Sequence, residues 1–198
     1  MMKNEIVKLG LVLLFITSIA GGLLAFSNTV TSDLIVAAEE EASSGPEVAM
    51  AVVPGSANFE DLNEDTITNI KNENEKFIDA KKAIDNSGNV VGYGIRTLST
   101  VAGYGGDIEL FVGISPDGKV VGVKVLAMAE TPGLGTNVQN QEFKDQFVGK
   151  SVDMDIEVVK SGVNEDNQIQ AVAGATFSSN SYTSAVNNAL DIFEEYIK

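Results

Sequence analysis

The chain has 198 residues, with 13 Lys and Arg against 28 Asp and Glu, a formal net charge of −15, and neither Cys nor His. This length suits one domain with an appendage. Without Cys there is no protein-ligated iron–sulfur cluster, thiolate zinc site or disulfide framework, and without His there is no Ser-His-Asp triad or His-ligated haem. A redox function would therefore need an organic cofactor, and the acidity excludes binding to a nucleic acid backbone.

An apolar segment lies near the N-terminus, because residues 9–32 contain no charged side chain. The segment exceeds the roughly 20 residues that cross a membrane as a helix. Lys3 and Lys8 precede it and acidic residues from Asp33 onward follow it, which predicts a single transmembrane helix with a cytoplasmic N-terminus. A cleaved signal peptide, with small residues at Ala20 or Ala38, and a buried core helix remain as alternatives.

We predict three parts in the chain. Residues 1–32 form a cytoplasmic stub and the transmembrane helix, residues 33–57 form a linker, and residues 58–198 form an extracytoplasmic domain. The linker is predicted because this stretch is rich in Ala, Glu, Ser and Val and shows no sustained period of 2 or 3.6, which is typical of a tether or weakly ordered spacer.

Two hairpins are predicted in the domain. Residues 77–84 and 90–98 flank the turn signal Asp85-Asn-Ser-Gly-Asn89. Residues 108–114 and 120–125 flank Ser115-Pro-Asp-Gly118, where Pro presets φ and Gly accepts positive φ.

The remaining elements are a short amphipathic helix within residues 58–74, one or two helical turns at 142–148, a strand at 154–159 and a final helix. Asn180 or a nearby Ser is the expected N-cap of the final helix, in which Val186, Leu190, Phe193 and Ile197 recur at helical spacing and should pack on the sheet. The predicted fold class is α+β, with a twisted, mostly antiparallel sheet and packed helices.

Three glycine-bearing segments, residues 103–108, 130–136 and 173–180, are not explained by packing alone. Gly133 and Gly135 let backbone N–H groups approach a bound anion or a planar ring, and Ser178 near a helix start suits a phosphate. Taken alone, the second segment could be an ordinary loop and the third could supply capping residues only. Neither is a P-loop or a dinucleotide-binding glycine turn.

Together these motifs resemble those of the FMN-binding G subunit of the Rnf electron-transport complex and, more distantly, of the C subunit of the sodium-pumping NADH:quinone reductase. The resemblance covers nearly the whole chain. It is carried by Lys3-Asn4, Lys8-Leu9-Gly10, Gly103-Tyr-Gly-Gly106, Glu130-Thr-Pro-Gly-Leu-Gly135 and Gly174-Ala-Thr176.

The resemblance implies that Thr176 is joined to the phosphate of FMN by a phosphoester bond, which a flavin transferase makes. It implies no catalytic residue and no metal site on this chain. Its other implied cofactor-binding residues are Tyr104, Gly105, Glu130, Thr131, Gly133, Leu134, Gly135, Thr136, Gly174, Ala175, Ser178 and Ser179. Three positions depart from the family pattern: Met128 replaces a frequent His, Gln170 a frequent acidic residue, and Ala173 the usual Ser or Thr.

The implied function is that of an electron-carrying subunit in a membrane-bound, ion-translocating ferredoxin:NAD oxidoreductase. Its expected partners are the other Rnf subunits, including membrane-embedded ones, and the flavin transferase. The alternatives are a C-type subunit of a sodium-pumping NADH:quinone reductase and a membrane-tethered module that binds flavin reversibly. A hydrolase using paired carboxylates is a third class, although no pair is placed on an apolar wall.

Overall fold

A computed structural model describes residues 2–44 and 46–198, and side chains within 5–32 and 48–198. The chain forms two compact units, the first ending at Glu41 and the second running from Ala42 to Lys198.

The first unit is helical. Helix α1 (Met2–Ser44) contains the stretch Glu5–Ser32, which has a mean hydropathy of 2.4 and is long and apolar enough to cross a membrane. Two of its threonines bond their hydroxyls within the helix, since Thr17 and Thr29 donate to the backbone carbonyls four residues earlier, each at 2.9 Å. This internal pairing lowers the cost of placing hydroxyls in hydrocarbon. The predicted apolar helix is confirmed, and it continues through residues 33–44.

The second unit is α+β, as predicted. Its elements are α2 (Pro46–Val52), β1 (Asn58–Asp61), α3 (Glu64–Glu73), β2 (Phe77–Ile84), β3 (Val90–Leu98), β4 (Glu109–Ile114), β5 (Val120–Ala127), a 3₁₀ turn (Gly135–Gln139), α4 (Gln141–Asp145), β6 (Glu157–Val159), β7 (Gln168–Gln170) and α5 (Thr176–Ile192), followed by a π-helical end (Phe193–Ile197).

Strands β1 to β5 form an antiparallel meander in chain order, in which each strand pairs with the next. Both predicted hairpins are present. In the first turn the Asp85 carboxylate accepts hydrogen bonds from the backbone N–H groups of Ser87 and Asn89, and Gly88 has a φ of +83°. A hydrogen bond from the Asn89 side chain, followed by these backbone bonds, lowers the pKa of Asp85.

One face of this sheet is covered by α5. Tyr182, Val186 and Leu190 are buried there with sheet residues such as Ile95 and Leu110. This confirms the predicted packing of the final helix, and burial of its apolar side chains is the main stabilising term for this layer.

Side-chain amides also attach α5 to the rest of the domain. Asn187 bonds both the backbone N–H and the carbonyl of Ile156. Asn188 accepts from the side chain of Asn74 at 2.7 Å and donates to the hydroxyl of Thr97 at 2.6 Å. These bonds fix the position of α5 along its own axis, while apolar packing fixes its distance from the sheet.

The opposite face of the sheet is covered by α2 and the residue that follows it. Val48, Val52 and Val53 are buried against Ala83 and Phe111. The close fit depends on glycines that face each other across the strands, since Gly94 pairs with Gly113 and Gly113 pairs with Gly122. A Cβ at Gly113 or Gly122 would overlap the backbone of Val52.

The structure differs from the sequence prediction in several places. Within the predicted linker, Val48, Val52 and Val53 are buried against the sheet. Residues 58–61 form an edge strand before α3. Strand β6 is shorter than predicted and pairs in parallel with β7, which was not predicted. Helix α5 begins four residues before its predicted cap, Asn180.

Candidate functional site at the start of helix α5

Thr176 is the first residue of α5 and is half-buried. Ala175 occupies the N-cap position and supplies no side-chain hydrogen bond, while Gly174, at φ +75°, turns the chain into the helix. The backbone N–H groups of the first turn have no partner within a helix and carry its partial positive charge. The hydroxyl of Thr176 therefore stands beside a helix end that lacks a side-chain cap.

Glu130 joins the three glycine-bearing segments. One carboxylate oxygen accepts from the hydroxyl of Ser178 at 2.7 Å, and the other accepts from the backbone N–H of Gly105 at 3.2 Å. The residue is only 6% exposed, so these bonds compensate the cost of burying its carboxylate. Residues that are 25 and 48 positions apart in the sequence meet at this one side chain.

Three glycines make this meeting possible. A Cβ at Gly103 would overlap the carboxylate of Glu130, and one at Gly105 would overlap the backbone of Ala129. A Cβ at Gly135 would overlap both Glu130 and the hydroxyl of Ser178. The glycines of the predicted motifs thus allow close approach between protein segments.

The loop from Thr131 to Thr136 is closed by its own hydrogen bonds. The N–H of Gly133 donates to the Thr136 hydroxyl at 2.9 Å, and the N–H groups of Leu134 and Thr136 donate to the carbonyl of Thr131. These three N–H groups are therefore paired within the loop, and the predicted approach of the loop to an anion or a planar ring stays a prediction. The side chain of Leu134 lies against Gly174 and is 45% exposed.

The two predicted phosphate-site serines are both buried and use their hydroxyls inside the protein. Ser178 donates to Glu130, and Ser179 donates to the carbonyl of Ala175 while accepting from the N–H of Val172. Their roles in the structure are to position the first turn of α5. Three predicted site residues of this turn carry a hydroxyl: Thr176, Ser178 and Ser179. Thr176 is half-buried, whereas the two serines are buried.

A groove of about 510 Å³ borders the segment that precedes Thr176. Gln170 and Ala173, two of the positions that depart from the family pattern, both line it. The Gln146 side chain accepts from the backbone N–H of Gln170 at 2.7 Å and donates to its carbonyl at 3.2 Å. These two bonds hold Gln170 in place at the edge of the groove.

The sequence analysis missed two exposed apolar residues, one next to Thr176 in the chain and one in the first glycine-bearing segment's loop. Phe177 follows Thr176 and is 71% exposed, and Val101, 53% exposed, lies in a loop whose N–H bonds the Ser184 hydroxyl of α5 at 3.1 Å. Tyr104, which was predicted, is 79% exposed. A signal was available, since residues 97–106, 131–141 and 167–190 contain no charged residue in a chain of net charge −15.

Comparison with known proteins assigns the family. A family model described as the FMN-binding domain matches residues 103–191, which include Glu130 and Thr176. The chain is 34% identical to the G subunit of the Na(+)-translocating ferredoxin:NAD(+) oxidoreductase complex of Acetobacterium woodii, over 96% of this chain and 93% of that protein. It is 32% identical to the G subunit of the ion-translocating oxidoreductase complex of Methanosarcina acetivorans, over 96% of this chain and 95% of that protein.

The fold is also similar to that of NqrC from Shewanella oneidensis, whose crystal structure matches with a TM-score of 0.52 and 22% identity, over 74% of this chain and 70% of that one. This likeness concerns the fold alone. The sequence relationships cover nearly the full length of the chain, and the prediction made from its motifs is confirmed: the chain belongs to the family of G subunits of ion-translocating oxidoreductase (Rnf) complexes.

Proposed function

We propose that the chain is the electron-carrying subunit of a membrane-bound, ion-translocating ferredoxin:NAD oxidoreductase, and that it carries electrons on an FMN esterified to Thr176. The observation that carries the proposal is the position of Thr176, half-buried at the first residue of α5 and inside the FMN-binding region. When bound, FMN supplies the electron-transfer chemistry that the side chains of this chain lack.

The surroundings of Thr176 fit a phosphate ester. The first-turn amides of α5 point toward the N-terminal end of the helix, where an anionic group is favoured. Gly174 keeps the approach to the helix free of a Cβ, and Ala175 leaves the capping position without a competing side-chain acceptor. The carboxylate at the site, Glu130, is buried and bonded to two donors, which limits its repulsion of a phosphate.

The remaining site residues would orient and shield the cofactor. Leu134, packed against Gly174, offers an apolar surface next to the attachment point. Ser178 and Gly105, through Glu130, hold the three segments in one arrangement before the cofactor arrives. A site organised in advance keeps the reorganisation on electron transfer small.

We further propose that α1 spans the membrane with its N-terminus in the cytoplasm and that the domain lies outside. Lys3 and Lys8 before the span, with acidic residues after it, support this orientation. A cofactor released outside the cell would be lost by dilution, and an ester to Thr176 removes that risk. The partners would be the other subunits of the complex and a flavin transferase.

The test is flavin fluorescence after denaturing electrophoresis of the full-length chain, coexpressed with a flavin transferase. We expect a fluorescent band for the wild type and no fluorescence for Thr176→Ala. Thr68→Ala, at an exposed threonine of α3, serves as the matched control and should remain fluorescent. A dark wild-type band, with the transferase active on another substrate, would refute the covalent linkage and favour a reversible flavin-binding module.

A further inference from the structure

We infer that Gln146 is a positioning residue for flavin attachment: it holds the strand that leads to Thr176 in the conformation that the flavin transferase binds. The inference rests on the proposed function, because it concerns how Thr176 is presented for esterification. Gln146 is the C-cap of α4 and lies outside the three glycine-bearing segments, and it was not among the predicted site residues.

Strand β7 leads to Thr176 and is one of the two strands of the smaller sheet. Its pairing with β6 continues to Ala171, whose N–H donates to the carbonyl of Val159 at 2.8 Å. The backbone groups of successive residues in a strand point to opposite sides, so the N–H and the carbonyl of Gln170 face away from β6. The edge of a sheet offers such groups to whatever lies beside it.

Gln146 takes the place of a neighbouring strand at this edge. Its side-chain oxygen accepts from the N–H of Gln170 at 2.7 Å, and its side-chain nitrogen donates to the carbonyl of the same residue at 3.2 Å. One primary amide carries both the acceptor and the donor that this pairing needs. The backbone of Gln170 is therefore bonded on this side as it would be by an adjacent strand.

The chain around Gln146 is itself anchored on α5. Phe143 precedes Gln146 by three residues and Phe147 follows it directly, and both phenylalanines are buried. Their ring centroids lie 5.3 and 5.1 Å from that of Tyr182, which belongs to the helix that begins at Thr176. Gln146 thus fixes the strand before Thr176 against the same helix that carries Thr176.

We define the acceptor segment as residues 170–176. Besides the two bonds at Gln170, the N–H of Val172 donates to the Ser179 hydroxyl at 3.0 Å. Residues 173 and 174, which follow, are exposed. Loss of the glutamine side chain would release the first of these attachments, and the exposed middle of the segment would then sample more conformations.

The expected consequence is a change in how tightly the transferase binds its acceptor. An enzyme that binds one conformation of a segment has an apparent affinity reduced by the fraction of molecules in that conformation. Two hydrogen bonds between neutral groups change this fraction by about tenfold. The chemical step is the same once the segment is bound, so Gln146 should affect the KM for the chain and not kcat.

The first experiment follows ester formation on the full-length chain, purified without its flavin. The transferase is supplied with a flavin dinucleotide, whose pyrophosphate bond breaks as the bond between phosphorus and the Thr176 oxygen forms. The nucleoside monophosphate leaves, the hydroxyl proton is lost to solvent and no electron is exchanged. Initial rates of in-gel flavin fluorescence over a range of chain concentrations give KM and kcat.

We expect Gln146→Ala to raise the KM for the chain about tenfold and to leave kcat within about twofold of the wild type. Gln146→Met keeps the length of the side chain, removes both hydrogen bonds and should have the same effect. The matched control is Gln168→Ala on the same strand. The Gln168 side chain accepts from the N–H of Asn164 at 3.0 Å, earlier in the chain than the acceptor segment, so this variant should keep the wild-type KM.

The second experiment needs neither flavin nor transferase. Amide hydrogen exchange of the full-length chain in detergent micelles compares the wild type with Gln146→Met. The Gln170 amide loses its acceptor in any case, so the informative amide is that of Val172, which keeps its bond to Ser179. We expect it to exchange about tenfold faster in the variant, while the amide of Val186 within α5 is unchanged.

Three results would overturn the inference while the wild-type band is fluorescent. The first is a wild-type KM for Gln146→Met, or an equal rise in KM for Gln168→Ala. The second is a lower kcat at unchanged KM, which would place Gln146 in the chemical step. The third is an unchanged exchange rate at Val172. A wild-type band that stays dark, with the transferase active on another substrate, would instead refute the proposed attachment and this inference with it.

Discussion

The two faces of the five-stranded sheet hold their helices in different ways. On one face α5 is separated from the strands by large side chains such as Tyr182 and Leu190 and is held by amide hydrogen bonds. On the other face the end of α2 lies directly on the backbone of Gly113 and Gly122. The first arrangement positions the helix that begins at Thr176, and the second fixes the beginning of the domain.

The difference predicts different responses to substitution. A layer of side chains can relax around a small cavity, whereas backbone in contact with backbone has no flexible group that can move away. Substitutions on the α2 face should therefore affect stability and leave the site chemistry intact, while those near the start of α5 should affect both.

The largest effect on stability is expected for Gly113→Ala. The new Cβ would overlap the backbone of Val52, so α2 must shift from the sheet, at a cost of about 3 kcal/mol in the free energy of unfolding. Urea denaturation measures this loss. The matched control is Gly88→Ala, which has open space and bears only the strain of its φ of +83°, about 1 kcal/mol.

Equal losses for these two glycine variants would contradict the proposed role of backbone contact on the α2 face. Loss of FMN attachment in the fraction of Gly113→Ala that remains folded would contradict the separation of the two faces.

A somewhat smaller effect is expected for Glu130→Ala. This change leaves the Ser178 hydroxyl and the Gly105 N–H without their buried acceptor, and we expect a loss of about 2 kcal/mol together with slower flavin attachment at Thr176. Glu130→Gln should lose about 1 kcal/mol or less, since its amide can accept from one partner and donate to the hydroxyl of the other. Denaturation and the time course of in-gel flavin fluorescence report the two effects. If Gln and Ala behave alike, the hydrogen bonds are not what organises the site.

Val186→Ala tests the side-chain layer beneath α5. This residue is fully buried, and its truncation should cost about 2 kcal/mol by loss of apolar burial and by the cavity it leaves. Val148→Ala, at an exposed valine, should change stability by less than about 0.5 kcal/mol. Thermal unfolding distinguishes the two variants, and a neutral Val186→Ala would show that the α5 layer is loosely packed.

The smallest effect concerns the charge at the end of α5. Burial, and then the nearby carboxylates of Asp155 and Glu195, raise the pKa of Asp191 above 3.8. The folded state therefore binds the proton more tightly, and stability falls as the pH rises from 3.8 through the raised pKa. Asp191→Asn should stabilise the protein slightly at pH 7, because solvent screens this largely exposed carboxylate, and the gain should disappear below pH 3.8.

Asp117 provides the control of opposite sign. A hydrogen bond from Ser115, with the neighbouring Lys119, lowers its pKa, so its charged form stabilises the fold. Asp117→Asn should destabilise the protein at pH 7, and this loss should vanish in acid. Chemical denaturation of both variants across pH 3 to 7 measures the pair. A loss of stability at pH 7 for Asp191→Asn would show that this carboxylate has a favourable partner in solution.

Much of the fold could be predicted from the sequence because its signals are local. Strands β2 to β5 form two hairpins, each joined by a turn with specific chemistry, Asp85 to Asn89 in the first and Ser115 to Gly118 in the second. Strand β1 was missed because it is a polar edge strand, and the start of α5 was misplaced because its N-cap, Ala175, has no capping side chain.

The sequence predicted individual candidate residues of the site but not the contacts that bring them together. The motifs gave Thr176 and Glu130 as candidates, whereas the hydrogen bonds that Glu130 accepts from Ser178 and Gly105 depend on long-range folding that no local pattern encodes. The stretch containing Val48, Val52 and Val53 was assigned to a linker because short valine-rich runs show no period, and the close packing of Val52 depends on glycines far along the chain.

The proposed attachment of FMN at Thr176 would link the uncapped start of α5 to the lifetime of the protein. Helix ends without caps fray, and frayed ends are preferred sites of proteolysis. With a phosphate ester at Thr176, the first-turn amides gain the acceptor that Ala175 does not provide. Under the proposed attachment, we expect a chain that has missed maturation to be cleaved at this helix end sooner than a mature chain, which limited proteolysis of Thr176→Ala beside the wild type would measure.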